Sequence, residues 1–222
     1  MIIGSSEWES CLETGAHTLH LHPGNEAVKQ FAVHAQQMLA WNRKINLTAI
    51  TDPKEVAVKH FLDSIAVLPF IPEHARLLDM GSGAGFPGIP LKIMRPDLQV
   101  TLIDASRKKV SFQNHVIRTL KLTGIYGIHG RAEDLAADPA LSEAFDVVIC
   151  RAFSDLRLFF KLARPFLNDR GQMVALKGKI EDQEILSVKS SRTRMQIKHF
   201  SLPYLDAQRS IVVHSLSNSC NE

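Results

Sequence analysis

Two hydrophobic rhythms follow one another along this chain. After Asn25, a residue type that caps helices, Val28, Phe31, Ala32, Ala35 and Leu39 return every three or four positions and predict a helix to about Trp41 with one buried face. Asn46 to Ile50 breaks that pattern. Asp52-Pro53-Lys54-Glu55 then has the composition of a helix start: a capping carboxylate, a proline in the first turn and an acid three residues after the cap. Val58, Phe61, Leu62, Ile65 and Leu68 continue it on one face until Pro69 and Pro72. From Ala75 the rhythm changes. Ala75–Leu78, Leu98–Ile103, Ile125–His129, Phe145–Cys150 and Gln172–Leu176 are apolar runs of strand length. Helical spacing returns between or after them, at Ile89–Met94, at Phe112, Val116 and Leu120, at Leu156, Phe159, Phe160, Ala163 and Leu167 behind Ser154 as a cap, and at Ile180–Ser190. Strands alternating with helices predict an α/β fold, a doubly wound, mainly parallel sheet covered on both faces. The last two runs, Met195–Phe200 and Ser210–Leu216, have only a proline-containing link between them, so that pair must be antiparallel.

This pattern divides the chain into a leader at 1–24, a helical appendage at 25–72 and a sheet-bearing domain at 73–222. The leader shows no convincing period and is expected to be extended or poorly ordered; its His17, His20 and His22 lack a cysteine or carboxylate at ligand spacing and read as solvated surface, with no metal site. The appendage is too short to stand alone and is expected to pack on the domain. A length of 222 residues suits one good core. No apolar run nears the ~20 residues of a membrane span, and the first residues lack a secretion signal. Cys11, Cys150 and Cys220 are odd in number and far apart, which fits a reducing cytoplasm. Charge is mildly basic and uneven: residues 1–70 hold five Lys+Arg and seven Asp+Glu, whereas the remainder holds 21 and 16. Such a bias is compatible with a polyanionic partner and with a plain enzyme.

The candidate chemistry starts where the first strand ends. Asp79-Met80-Gly81-Ser82-Gly83-Ala84-Gly85 is followed by an apolar helix, giving strand, tight turn and helix. Glycine there permits positive φ and lets a ligand lie against the main chain, and the helix start is expected to aim free N–H groups at it. A dinucleotide fingerprint needs a glycine at the sixth position from Gly81, which is Phe86. The turn instead resembles the first motif of S-adenosylmethionine (SAM) methyltransferases, and Asp104, ending the next strand, has the spacing of a ribose-binding carboxylate. Gly81 and Gly83 then serve close main-chain approach, and Ala132 and Glu133, past the third strand, can read an adenine edge. Arg107-Lys108-Lys109 at a helix start oppose the helix dipole, so they are either a phosphate contact or a solvated terminus. Cys150 has no flanking proline and reads as a buried thiol rather than a nucleophile.

As a series, Asn46-Leu47-Thr48, His60-Phe61-Leu62-Asp63-Ser64, Gly81 to Leu91, Arg131-Ala132-Glu133, Arg151-Ala152-Phe153 and Ala175-Leu176-Lys177-Gly178 resemble the motifs of the bacterial rRNA small-subunit methyltransferase G family, also called GidB, over about residues 25–215. The resemblance implies a class I SAM-dependent methyltransferase (Rossmann-like) fold, SAM as cofactor, and methylation of guanine N7 in 16S ribosomal RNA, free or within an assembling particle, by a cytoplasmic monomer. It places Gly81, Phe86, Ala132, Glu133 and Arg151 at cofactor contacts. Phe86 is expected to touch the cofactor through its ring, and Arg151 to orient cofactor or guanine or to form a structural ion pair. Lys108, Lys109 and Lys177 are the first RNA candidates, with Arg107, Lys179, Arg192, Arg194 and Arg209 behind them and His60 as a weaker contact. Ala105 departs from the serine expected after the acidic residue. Two rival readings stand beside this one: a SAM-dependent methyltransferase of a protein or small molecule, and a SAM-binding RNA module without turnover.

Overall fold

The computed structural model describes residues 1–153, 155–178, 180–188, 193–205 and 207–216. Seven strands form one sheet: β1 (Arg76–Met80), β2 (Gln99–Asp104), β3 (Ile125–His129), β4 (Phe145–Arg151), β5 (Leu167–Lys177), β6 (Thr193–Ser201) and β7 (Gln208–Leu216), in the order β3-β2-β1-β4-β5-β7-β6. The first five are mutually parallel, and β7 runs antiparallel to both β5 and β6. Strands adjacent in the sheet are also consecutive in the chain except where β5 meets β7 and, within the parallel part, where β1 meets β4. That is the switch point at which an open α/β sheet leaves a crevice beyond its carboxyl ends.

Side chains of successive strand residues point to opposite faces, and the two halves of the core divide accordingly. Leu77, Val100, Leu102, Val147, Ile149 and Val174 belong to one apolar cluster, whereas Leu78, Met80, Ile103, Val148, Cys150 and Ala175 belong to the other. Near-continuous burial of β1, β2 and β4 follows from this two-sided cover and explains why these strands read as unbroken apolar runs. The second cluster is completed by Leu156, Phe159, Phe160 and Ala163, on a helix whose cap is Asp155: its carboxylate accepts the N–H groups of Arg157 and Leu158. The Ser154 cap expected from the sequence lies outside the described residues.

The first cluster holds the N-terminal helices. Helix α1 (Ser6–Thr18) occupies the stretch expected to be an extended leader. Ser5 caps it by accepting the Trp8 N–H, and Trp8, Leu12 and Ala16, spaced by four, are buried. The Trp8 indole donates to the Pro53 carbonyl at 2.8 Å and meets the Phe61 ring edge-on. Gly15 makes the close approach possible, since a Cβ there would lie 2.3 Å from Leu62 Cδ1. Helix α2 (Asn25–Asn42) starts one residue earlier than expected, with Gly24 rather than Asn25 as its N-cap. The third, α3, is composite: α over Pro53–Glu55, π over Val56–Leu62 and α again over Asp63–Ile65. No helix among the described residues is long and apolar enough to cross a membrane.

Helix α1 is thus an integral layer of the first core. Trp8→Ala is expected to lower unfolding free energy by about 3–5 kcal/mol, as removal of a fully buried aromatic side chain does, with urea denaturation as the measurement. A loss below about 1 kcal/mol would mean that the helix is a dispensable appendage.

Candidate active site

The turn after β1 is locked by hydrogen bonds of its own. Gly81 and Ser82 both donate to the Ile103 carbonyl at 2.9 and 3.1 Å, Gly83 donates to Asp104 Oδ2 at 2.9 Å, and Gly85 and Phe86 donate to the Ser82 carbonyl. Gly88, at the start of α4 (Gly88–Met94), donates to Asp79 Oδ2 at 2.8 Å. The expectation that free N–H groups here face a ligand is therefore corrected for these six residues: their amides are taken internally. What the glycines supply is room. Gly81 has φ of +74°, and a Cβ built on it meets nothing within 4 Å. From helix α5 (Arg107–Thr119), buried Gln113 braces the loop by donating to Ser82 Oγ and the Gly83 carbonyl at 2.9 and 2.8 Å.

A cleft of about 270 Å³ opens beside Gly81, walled by Asp104, Gly130, Ala132 and Glu133 and floored by apolar Met80, Ile103, Phe153 and Leu162. Asp104 accepts from Gly83 on one oxygen and from Ser106 at 2.8 Å on the other, so Ala105 does not deprive it of a backbone donor. Each oxygen keeps a lone pair for a ribose hydroxyl. Open space at a glycine, a carboxylate at the second strand's end and apolar walls suit a bound nucleoside. Four of the expected cofactor residues, Gly81, Asp104, Ala132 and Glu133, come together here, and Gly83 is held against Asp104.

Phe86 and Arg151 are placed elsewhere. The Phe86 ring is 3% exposed and stacked between two imidazoles, His34 at 4.6 Å and His60 at 4.7 Å, with interplanar angles of 13° and 14°. The bulky ring is consumed in joining the glycine turn to α2 and α3, so the expected cofactor contact through it is corrected. His34 donates from Nε2 to the Ala84 carbonyl at 2.8 Å. Arg151 lies over the Phe86 face at 5.1 Å, donates to the Lys59 carbonyl at 2.9 Å and to His60 Nδ1 at 3.2 Å, and stands 3.8 Å from Asp63. Because His60 Nδ1 accepts, Nε2 carries the proton and donates to Thr48 Oγ1 at 2.9 Å. Burial first, then the Arg151 charge, lowers the His60 pKa to about 3, and burial lowers that of His34 to about 4, so both imidazoles are neutral near pH 7.

These groups frame a second cavity of about 380 Å³, with Lys59, His60, Asp63, Arg151, Lys177 and Arg209 among its walls. Arg209 Nε donates to Asp63 Oδ1 at 3.2 Å, which makes Asp63 a bridge between two guanidiniums. The chain passes from one cavity to the other in three residues: Arg151 and Ala152 line the second, Phe153 the first. Lys177 is paired with Glu184, whereas Lys108 is exposed and Lys109 half-buried. Arg194 lines a separate groove with Phe70 and Gln172. Lys179 and Arg192 lie outside the described residues. Sequence reasoning missed His34, Asn42 and Gln113. Asn42 holds the Asn46-Leu47-Thr48 corner by accepting the N–H groups of Leu47 and Thr48 at 2.8 and 3.0 Å, which aims the Thr48 hydroxyl at His60. A histidine on a helix's apolar face was the available signal for His34; Asn42 and Gln113 carried none.

Under the turn, Asp79 is fully buried, and its Oδ1 has no hydrogen-bond partner among the described residues. Burial raises its pKa from 3.8 to about 7, against the Gly88 bond and Arg151. The folded chain therefore keeps a proton that the unfolded chain releases, and stability falls as pH rises from about 4 to about 7, then levels. The full fall is about 4 kcal/mol. Urea unfolding of Asp79→Asn against the parent is expected to show the variant gaining relative stability over that window. A difference independent of pH would refute the buried, protonated carboxyl.

The family model "GidB: rRNA small subunit methyltransferase G" matches residues 27–212. The Geobacter sp. (strain M21) ribosomal RNA small subunit methyltransferase G is 42% identical, covering 91% of this chain and 94% of its own. Its counterpart from Desulfitobacterium hafniense (strain Y51) is 38% identical over 90% and 86%. In fold, a SAM-dependent methyltransferase from Aquifex aeolicus superposes with a TM-score of 0.55 at 15% identity, covering 73% of this chain and 93% of that one. The chain belongs to the rRNA small subunit methyltransferase G family and is a SAM-dependent methyltransferase.

Proposed function

We propose that this chain transfers the methyl group of SAM to N7 of a guanine in small-subunit ribosomal RNA, in the cytoplasm. SAM supplies a methyl group made electrophilic by its sulfonium. In this reading Gly81 and Gly83 give it a bare main chain to lie against, Asp104 accepts from its ribose, and Ala132 and Glu133 meet its adenine. The neighbouring cavity takes the target base. The two meet at the Arg151-Ala152-Phe153 exit of β4, on the carboxyl edge of the sheet.

One observation carries the choice of N7. At the heart of the second cavity His60 uses both ring nitrogens on protein partners, Arg151 is spent on Lys59, His60 and Asp63, and Asp63 is held as the counter-ion of two guanidiniums. Methylation of an exocyclic amine or a hydroxyl needs a group to take a proton. Guanine N7 has a free lone pair and no proton, so it asks only for position, and well-oriented reactants recover several kcal/mol of the barrier without proton transfer. Arg151 serves here as a fixed wall. A guanidinium bonded to N7 would occupy the lone pair that must attack.

Incubation with labelled SAM and ribosomal RNA, as free transcript and as small subunits, followed by nucleoside analysis, is expected to yield labelled 7-methylguanosine. Label on another atom, or none with either substrate, would overturn the reading.

Lys108, exposed in the first turn of α5, follows in the chain shortly after Asp104 and Ala105, which line the cofactor cleft. Lys108→Ala is expected to weaken RNA binding, reduce the slope of log K against log salt by about 0.7–0.9, and leave SAM affinity unchanged. An equal loss of SAM binding would show that the lysine serves the cofactor.

A further inference from the structure

Methyl transfer to N7 requires no carboxylate at the acceptor base, yet the second cavity has one in its wall. Asp63 comes from α3, is 6% exposed, and directs Oδ1 at Arg209 and Oδ2 toward Arg151. Burial raises its pKa and the two guanidiniums oppose the rise. A carboxylate offers about four acceptor sites, and partners among the described residues engage two. A wall built to seat a phosphate would not carry this acid, which repels phosphate and pairs off the cations around it. It suits N–H donors.

Resting on the function proposed above, we propose that Asp63 is the residue that identifies the target base as guanine, accepting from N1–H and N2–H₂ while Arg209 donates to O6. Among the described residues Arg209 spends two N–H groups, on Asp63 Oδ1 and the Gln208 carbonyl, out of the five that a guanidinium carries. A donor set beside an acceptor set is the complement of the Watson–Crick edge of guanine, which reads acceptor, donor, donor. Adenine presents a donor and then a bare N1 lone pair to the same wall, so a carboxylate opposes it. Held by that edge, guanine keeps N7 free of hydrogen bonds. The target base must leave any stack or pair to offer this edge, as bases do in other enzymes that modify them.

The test uses ribosomal RNA in which the target guanine is replaced by inosine, which keeps N1–H, O6 and N7 and lacks only the N2 amine. The parent enzyme is expected to lose about tenfold or more in kcat/KM on this change, as a site left with an unmet acceptor does. Asp63→Asn is expected to be slow on guanine and to show a guanine-to-inosine ratio near one. Asp63→Glu, which keeps the carboxylate, should keep a ratio clearly above one. SAM affinity and thermal unfolding of each variant check the fold. A parent enzyme that does not distinguish guanine from inosine overturns the assignment even if the variants fail to fold, and an Asp63→Asn enzyme with the parent's ratio reduces Asp63 to a holder of Arg151 and Arg209. If the parent methylates neither RNA at N7, it is the underlying function that fails.

Discussion

The site depends on the stack of His34, Phe86 and His60. Three flat side chains from three elements, α2, the glycine turn and α3, lie stacked and buried, with His60 at the edge of the second cavity. Burial keeps both imidazoles uncharged by holding their pKa values well below neutrality, and an uncharged His60 is what allows Nδ1 to accept from Arg151. Each ring also carries a polar tether: His34 to the Ala84 carbonyl, and His60 to Thr48 on one side and Arg151 on the other. Through these contacts the turn that borders the cofactor cleft, the strand exit that borders the second cavity and the N-terminal helices become one rigid piece.

That coupling gives the N-terminal helices their purpose. A Rossmann-like sheet supplies a nucleoside cleft at its switch point whatever flanks it. It does not supply the second cavity. Lys59, His60 and Asp63 come from α3, and the corner that sets His60 comes from the end of α2. The π stretch in α3 sits among these residues, as such irregular turns often do at functional sites. Helix α1 in turn backs α3 through Trp8 on Pro53 and Phe61 and through Gly15 on Leu62.

Much of this was legible in the sequence, and the gaps have physical causes. All seven strands and the antiparallel end pair followed from short apolar runs, because a sheet covered on both faces leaves little ambiguity about burial. The glycine turn and Asp104 were legible because close backbone approach and strand-end placement each demand a particular residue type. Helix α1 was not recognised although Trp8, Leu12 and Ala16 stand at helical spacing, because the stretch with its scattered His17, His20 and His22 showed no convincing period; the buried face rests on a few widely spaced residues and on a glycine that serves close packing. Phe86 was assigned to the cofactor because its place in the motif is adjacent to it. Adjacency along a turn does not say which way a ring points, and two histidines 52 and 26 residues upstream decide that. Partners so far apart in sequence leave no local pattern.

Under the proposed mechanism the chemistry is positional and must resist small displacements, and the polar groups of this site are arranged for that. An acid or base that shuttles protons has to be free to change charge; here His60, Arg151 and Asp63 are fixed by mutual bonds, and a change in any one leaves a buried partner unmatched. Asp79 extends the same logic beneath the glycine turn. Its carboxyl holds the start of α4 through Gly88, where a Cβ would collide with Asp79 and Leu102, and in its protonated form it adds no charge to the desolvated floor below Asp104. Phe86, His60, Arg151 and Asp63 form a continuous series of contacts from the glycine turn to the wall of the second cavity, so in a densely packed interior none of them can be displaced without disturbing the next.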